Sequence, residues 1–400
     1  MDKTYGQELL HTPGGVRDIY GAECAGKLRI QEQLHQVLHS YGFRDIQTPT
    51  FEYFDIFSKE RGTVSSNAMF KFFDRGNNTL VLRPDVTPAI ARCVAKYDRD
   101  EQMQIRLCYS GNTFINTPPY KGKLQEVTQL GAELINDVSA DADAEMIVLT
   151  VECLLKSGLK EFQIEVGHAD LLLGLIEEAG FSTEEGEELF ALIENKNFFG
   201  VEELLERLTV AEPLKEIFLK LPELLGDLEE IKAFVKERTH NDRVLAALDR
   251  LEKVEHIVSL YGYSQYVTVD LSMLSTYSYY TGVIFRAYTY GNGEALASGG
   301  RYDGLVAQFG KDAPAIGMCI VMDQLMLALE RQNLLPEEKL GGLLLLYPVE
   351  LREKAHRQAA QLRAEGKIVR MMRKSSRKEL SEYEAYAKRI GAQELVLVQE

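Results

Sequence analysis

Hydrophobic positions along the 400 residues fall into three successive regimes. In the first, helical and strand periods alternate. Residues 22–41 carry Leu28, Leu34, Val37, Leu38 and Tyr41 near a helical period, and Gly42 stops the helix. FRDIQTP at 43–49 predicts a strand ended by Pro49, and residues 70–74 and 80–83 predict two strands joined by the polar turn RGNN. A helix is expected over 87–97. Two hairpin arms follow at 105–110 and 124–135 with a tip around PPYKG, then an amphipathic helix over 141–156 and an alternating strand over 162–166. The second regime, 170–261, holds only helical patterns rich in Leu and Glu, the mark of an inserted helical subdomain. Strand patterns return at 266–271 and 282–290, SGGRYDG at 298–304 reads as a sharp turn, and a helix is predicted over 322–331. After Pro336 comes a third regime: LLLLYP, a helix over 351–363, KIVRMM, a helix over 378–390 and ELVLV. That βαβαβ order predicts a small parallel sheet.

Charge narrows the picture. The net charge is −16, with 61 acidic against 45 basic residues, which disfavours broad binding to a polyanion. One stretch runs the other way: residues 351–389 hold 12 Lys/Arg against 5 Asp/Glu. It reads as a solvated surface, a face for an acidic partner, or a leftover RNA-binding face. The start, MDKTYGQELL, lacks the apolar core of a signal peptide, and the longest apolar stretch, 315–322, is too short to span a bilayer. Five widely spaced cysteines with no CxxC pair predict a reduced set in the cytoplasm. His35 and His39 stand four apart on one predicted helix, with Glu32 a turn earlier. HQVLH lacks the metalloprotease glutamate and no third ligand stands out, so the pair reads as surface residues and no metal is expected. There is no GxSxG, P-loop or GxGxxG motif.

Four blocks, in order, carry a family resemblance. They are TPGGVRDIY with FRDIQTPTFE; LRPDVTPAIAR at 82–92; RLCYSGNTFINTPPYKGKLQEVTQLGAE at 106–133; and STYSYYTGVIF at 275–285 with SGGRYDGLVAQFG…PAIGMCIVMDQL at 298–325. Together they resemble motifs 1, 2 and 3 and the signature loops of histidyl-tRNA synthetases over residues 12–331. The resemblance implies an α+β fold: a class II synthetase-like antiparallel sheet with flanking helices, a helical insertion and a small C-terminal α/β unit. It assigns residues 1–331 to a catalytic-type core, with 170–261 inserted, and 341–400 to a shortened anticodon-binding-like domain.

Position by position, the resemblance splits. The family holds ATP with arginines whose places here are Ile115, Ser275 and Gln324, and Thr117 stands where motif 2 has a glutamate. Charge developing on phosphate needs cations, and losing one well-placed donor costs about 3–4 kcal/mol of transition-state stabilisation. Lys121, Lys123 or Arg301 would have to substitute. The amino-acid half is kept: Asp85 and Thr87 for the α-amino group, Gln129 and Glu133, and the tyrosine pair Tyr279 and Tyr280 around the imidazole. Carboxylates suit an ammonium, and phenols and an amide suit ring nitrogens. The bland alternative is that these acids make structural salt bridges and the tyrosines fill core. Gly299 and Gly300 before Arg301 permit either a close approach to a ligand or simply a tight turn.

This pattern of loss and retention resembles the regulatory subunits of ATP phosphoribosyltransferases, which are synthetase-like chains without catalysis of their own. The resemblance implies histidine as ligand and feedback in the first step of histidine biosynthesis. It also implies a short-form catalytic subunit as partner in a hetero-octamer, a homodimer through the motif 1-like region, no cofactor, no tRNA and no membrane. An active but divergent histidyl-tRNA synthetase, or a histidine- or RNA-sensing module on the same scaffold, are the alternatives.

Overall fold

The computed structural model describes residues 10–58, 64–118, 123–274, 279–335 and 341–399. Two units emerge: residues 10–18 with 29–335, and residues 19–28 with 341–399. No helix among the described residues is long and apolar enough to cross a membrane.

Helix α1 (Gly21–Ser40) buries Ile30, Leu34 and Leu38, four apart on one face in the larger unit, whereas Leu28 of the predicted apolar set, in the smaller, is exposed. The strand predicted over 43–49 shortens to β1 (Arg44–Asp45). Strands β2 (Phe51–Tyr53), β3 (Lys71–Phe73) and β4 (Thr79–Leu82) form a small antiparallel sheet in the order β2-β4-β3. The Asp74 carboxylate closes the β3–β4 turn by accepting from the N–H groups of Gly76 and Asn78. Helix α2 (Thr87–Tyr97) follows, then the long hairpin of β5 (Ile105–Phe114) and β6 (Glu126–Ile135), in register from Ile105 opposite Ile135 to Phe114 opposite Glu126.

Helix α3 (Ala140–Lys156) is capped by Ser139, whose hydroxyl accepts from Ala142 N–H, and is buried almost all round. After β7 (Gln163–His168) the chain runs through α4 (Ala169–Glu178), α5 (Thr183–Glu194), α6 (Phe198–Arg207), α7 (Glu212–Lys220), the two-residue β8 (Leu225–Gly226), α8 (Leu228–Lys236) and α9 (Asp242–Leu260). Ser182, Asn197, Asp227 and Asn241 start four of these helices with side-chain caps. Strands β9 (Val267–Asp270), β10 (Val283–Tyr288), β11 (Ala297–Arg301) and β12 (Ala315–Val321) lead to α10 (Met322–Arg331).

Nine strands join in one mixed sheet, β1-β5-β6-β12-β11-β10-β7-β9-β8, antiparallel except for β1 with β5 and β7 with β9. Two of its central strands depart from the sequence reading. SGGR is not a turn but the end of β11, paired on both sides. Its glycines serve packing: a Cβ on Gly299 would lie 2.2 Å from the Phe285 ring, and one on Gly300 would lie 2.7 Å from the Tyr280 ring. The apolar run at 315–322 supplies β12, buried on both faces, where a two-residue period gives no signal.

The smaller unit contains β13 (Leu343–Tyr347), α11 (Arg352–Ala364), β14 (Val369–Arg373), α12 (Leu380–Arg389) and β15 (Glu394–Leu397). The three strands are parallel in the order β14-β13-β15, as the alternating pattern predicts, around Leu343, Leu345, Ala355, Ala359 and Val369.

A buried charge cluster ties α3 to β11 and α9. Asp143 is fully buried; it accepts from Arg301 Nε at 2.8 Å and Arg250 Nε at 2.7 Å. Asp143→Ala leaves the buried Arg301 without this carboxylate and is expected to cost about 3–5 kcal/mol. Urea unfolding of the full chain measures this; a loss below about 1 kcal/mol would show that Asp303 alone satisfies Arg301.

Candidate functional site

The site begins at the β4–α2 junction. The Asp85 carboxylate accepts from its neighbours' backbone, Val86 N–H at 2.6 Å and Thr87 N–H at 3.4 Å, and so sits against the start of α2. Arg83 anchors the junction to its surroundings, donating from Nε to the Asn112 carbonyl at 2.8 Å and from Nη1 to the Thr48 carbonyl at 2.9 Å.

Strand alternation then sets the floor. Gln129, Gly131 and Glu133 share one face of β6. Gly131 has no side chain because the Tyr109 ring lies over it; a Cβ there would meet the hydroxyl at 2.5 Å. Gly317, opposite Glu133 on β12, is bare for the same reason, since a Cβ would lie 1.8 Å from Glu133 Oε2. The Glu133 carboxyl takes Thr87 Oγ1 at 2.7 Å on one oxygen and Tyr302 OH at 2.5 Å on the other. Tyr279 OH donates to Asp85 Oδ2 at 3.1 Å, and the Tyr279 ring meets Tyr280 and Tyr302 edge to face.

These groups surround a pocket lined by Asp85, Thr87, Gln129, Glu133, Tyr279 and Tyr280 together with Gly299 and Gly300. Tyr109, Ser298, Tyr302, Gly317, Met318 and Cys319 complete the lining. Arg301 is not part of it. Alternation along β11 turns its side chain to the opposite face, onto Asp143, while Tyr302 faces the pocket. Tyr302, which bonds Glu133, is missing from the sequence-predicted set; its signal was its place in GGRYDG, one residue past the arginine that drew attention.

Among the described residues, no arginine or lysine lines the pocket. Asp85 is 8% and Glu133 1% exposed. Burial pushes the Glu133 carboxyl up to about 8, against the pull of the Tyr302 and Thr87 hydroxyls and with a further push from Asp85. Asp85 is also raised by burial, opposed by its backbone and Tyr279 hydrogen bonds. Gln129 Oε1 is buried without a hydrogen-bond partner. Two acids and an orphaned amide oxygen, with no cation opposite them among the described residues, make a cradle for a small ligand carrying N–H donors and positive charge.

The two described synthetase arginine positions, Ile115 and Gln324, supply no cation. Ile115 is half-buried, its N–H held by the Gln125 carbonyl at 2.9 Å. Gln324 Oε1 accepts from Asn292 Nδ2 at 3.3 Å. Ser275 lies outside the described residues, as does Lys121. The remaining candidate substitutes are paired elsewhere, Lys123 with Glu294 at 2.7 Å and Arg301 with Asp143.

A family model described as histidyl-tRNA synthetase matches residues 15–325. The ATP phosphoribosyltransferase regulatory subunit of Acetivibrio thermocellus is 39% identical over 360 residues, covering 90% of this chain and 86% of that protein. That of Ruminiclostridium cellulolyticum is 42% identical over 322 residues, covering 80% and 77%. A crystal structure described as an ATP phosphoribosyltransferase regulatory subunit/histidyl-tRNA synthetase from Bacillus halodurans aligns with a TM-score of 0.85 at 30% identity, covering 97% of this chain and 98% of that one. The fold is thus of the histidyl-tRNA synthetase class, α+β with a large mixed sheet and flanking helices. Within that class, the chain belongs to the family of ATP phosphoribosyltransferase regulatory subunits.

The raised Glu133 makes stability fall with pH. The folded state keeps a proton that the unfolded chain gives up near 4.5, so stability is lost as pH climbs from about 4.5 to about 8 and levels off above. Thermal melts of the unliganded chain across that range should show the decline, and Glu133→Gln should flatten it. An unchanged slope in the variant would remove Glu133 as its source.

Proposed function

We propose that this chain is a non-catalytic regulatory subunit that enables a short-form ATP phosphoribosyltransferase catalytic subunit, in the cytoplasm, at the first step of histidine biosynthesis. In this reading the pocket binds free histidine and reports it as feedback. Asp85 and Glu133 take the α-ammonium, Thr87 positions Glu133, and Gln129, Tyr279 and Tyr280 address the imidazole. A homodimer through the α1 and β1 region and a hetero-octamer with the catalytic subunit complete the proposal, as does an anticodon-binding-like origin for residues 341–400. Support for partner and pathway comes from the names of the relatives. The observation that carries the ligand is the acidic pocket, in which the buried Asp85 and Glu133 meet no arginine or lysine among the described lining residues.

Feedback then follows from linkage: histidine shifts the complex only if it binds two assembly states unequally, and a coupling of about 1–3 kcal/mol suffices. Ile115 and Gln324 weigh against an active synthetase, because neither supplies charge to a phosphate.

Two measurements test this. Mixed with a short-form catalytic subunit, the chain should restore phosphoribosyl transfer to ATP, while alone it should show no histidine-dependent ATP–pyrophosphate exchange. Full transferase activity without the chain, or robust exchange with it, refutes the reading. Calorimetry at pH 7 in buffers of different ionisation enthalpy should show histidine binding with release of about one proton, because pairing with the ammonium pulls the Glu133 pKa down from about 8. Glu133→Gln should abolish the release and weaken binding. Histidine binding that this variant leaves untouched places the ligand elsewhere.

A further inference from the structure

A second cluster of chemically matched groups lies on the other face of β5. In chain order the residues are His35 and His39 on α1, Asp45 on β1 and Cys108 on β5. The sequence reading found only the histidine pair, because its companions come from separate elements. The parallel pairing of β1 with β5 sets Asp45 directly beside Cys108, and Ile46 N–H fixes that register by donating to the Cys108 carbonyl at 2.9 Å. The i, i+4 spacing stacks the two imidazoles over them, ring centroids 4.4 Å apart.

Both imidazoles turn Nε2 to the same carboxylate, His35 to Oδ1 at 2.5 Å and His39 to Oδ2 at 3.1 Å. Cys108 Sγ lies 3.8 Å from His35 Nε2 and 3.6 Å from Asp45 Oδ1. All four donor atoms fall within 4.8 Å of one another. In a tetrahedral zinc site, bond lengths of about 2.0–2.3 Å put neighbouring donors about 3.3–3.6 Å apart, so the cluster is already near that figure. The donor set is two imidazoles, one carboxylate and one thiolate. It balances a divalent charge and selects a borderline-soft ion over calcium or magnesium. The side chains of His35, His39 and Asp45 are 27%, 45% and 56% exposed, which leaves an entry path, while Cys108 is fully buried beneath them.

We propose that His35, His39, Asp45 and Cys108 form a four-ligand structural site for a zinc-type divalent transition-metal ion, which clamps the end of α1 to the β1–β5 edge of the sheet. With four protein donors the coordination is closed, so the ion has a structural rather than a catalytic role.

Cobalt(II) reports both geometry and sulfur ligation, so it is the probe. The full-length chain, stripped with chelator and titrated with Co²⁺, is expected to take up one ion with the intense visible absorption of tetrahedral cobalt and a thiolate-to-cobalt charge-transfer band. Zn²⁺ should displace it and raise the melting temperature. Cys108→Ser should erase the charge-transfer band. His39→Asn, at the more exposed ligand, should weaken binding by about tenfold or more with an unchanged far-ultraviolet circular dichroism spectrum. A pale octahedral spectrum, no saturable uptake, or equal binding by wild type and the His39 variant would overturn the site and leave a hydrogen-bonded His–Asp–Cys cluster in its place.

Discussion

The centre of the sheet is organised around one carboxyl group that has almost no water. Glu133 sits on a strand hydrogen-bonded on both sides, where an acid is costly unless its oxygens are bonded. Thr87 and Tyr302 bond them, one from the start of α2 and one from just past the end of β11. Gly317 yields the space that the head group occupies. Three elements far apart in sequence are thereby held to one another through Glu133, and the pocket is the gap they leave. The hydroxyls bond Glu133 but supply no countercharge, and burial raises its pKa to about 8, so it holds its proton at neutral pH.

That deficit fits a regulatory subunit better than a catalyst. A synthetase must hold two ligands and stabilise charge on phosphorus, which calls for arginines aimed at the reacting atoms. Here the motif 2 position is an isoleucine and the motif 3 position is a glutamine bonded to Asn292. Relieved of that task, the site needs only differential affinity between two states of an assembly. A pocket whose two acids are held by hydroxyls and backbone N–H groups, with no cation among the described lining residues, suits this, because a cationic ligand changes its electrostatic state on entering.

Much of the fold was readable from the chain. Helices with clear periods, such as α2, α3 and α10, fall within a residue of their predicted bounds, and the βαβαβ order of the smaller unit predicts its parallel sheet. Misses occur where burial removes the period. β12 is apolar on both faces, and β11 carries glycines that look like a turn but exist to admit the Phe285 and Tyr280 rings. In the site, Asp85, Thr87, Gln129, Glu133, Tyr279 and Tyr280 converge on one pocket. Motif spacing reaches residues that repeat a family pattern, but it does not say which way a strand residue points. Arg301 and Tyr302 are read together in GGRYDG and separate only in three dimensions. The His35, His39, Asp45 and Cys108 cluster escaped for a related reason: two of its members are assembled by parallel pairing, which leaves no local spacing to find.

The placement of Arg301 shows how finely that direction matters. One residue of register on β11 decides whether a guanidinium or a phenol faces Glu133. An arginine on the pocket side would pair with Asp85 and Glu133, bring their pKa values down and fill the place an ammonium would take, closing the site to any cationic ligand. Turned the other way, it satisfies Asp143 and joins α3 to the sheet, with its charge kept behind the strand from the acids in front. The same strand thus separates the Asp143–Arg301 ion pair behind it from two acids in front that remain available to a ligand.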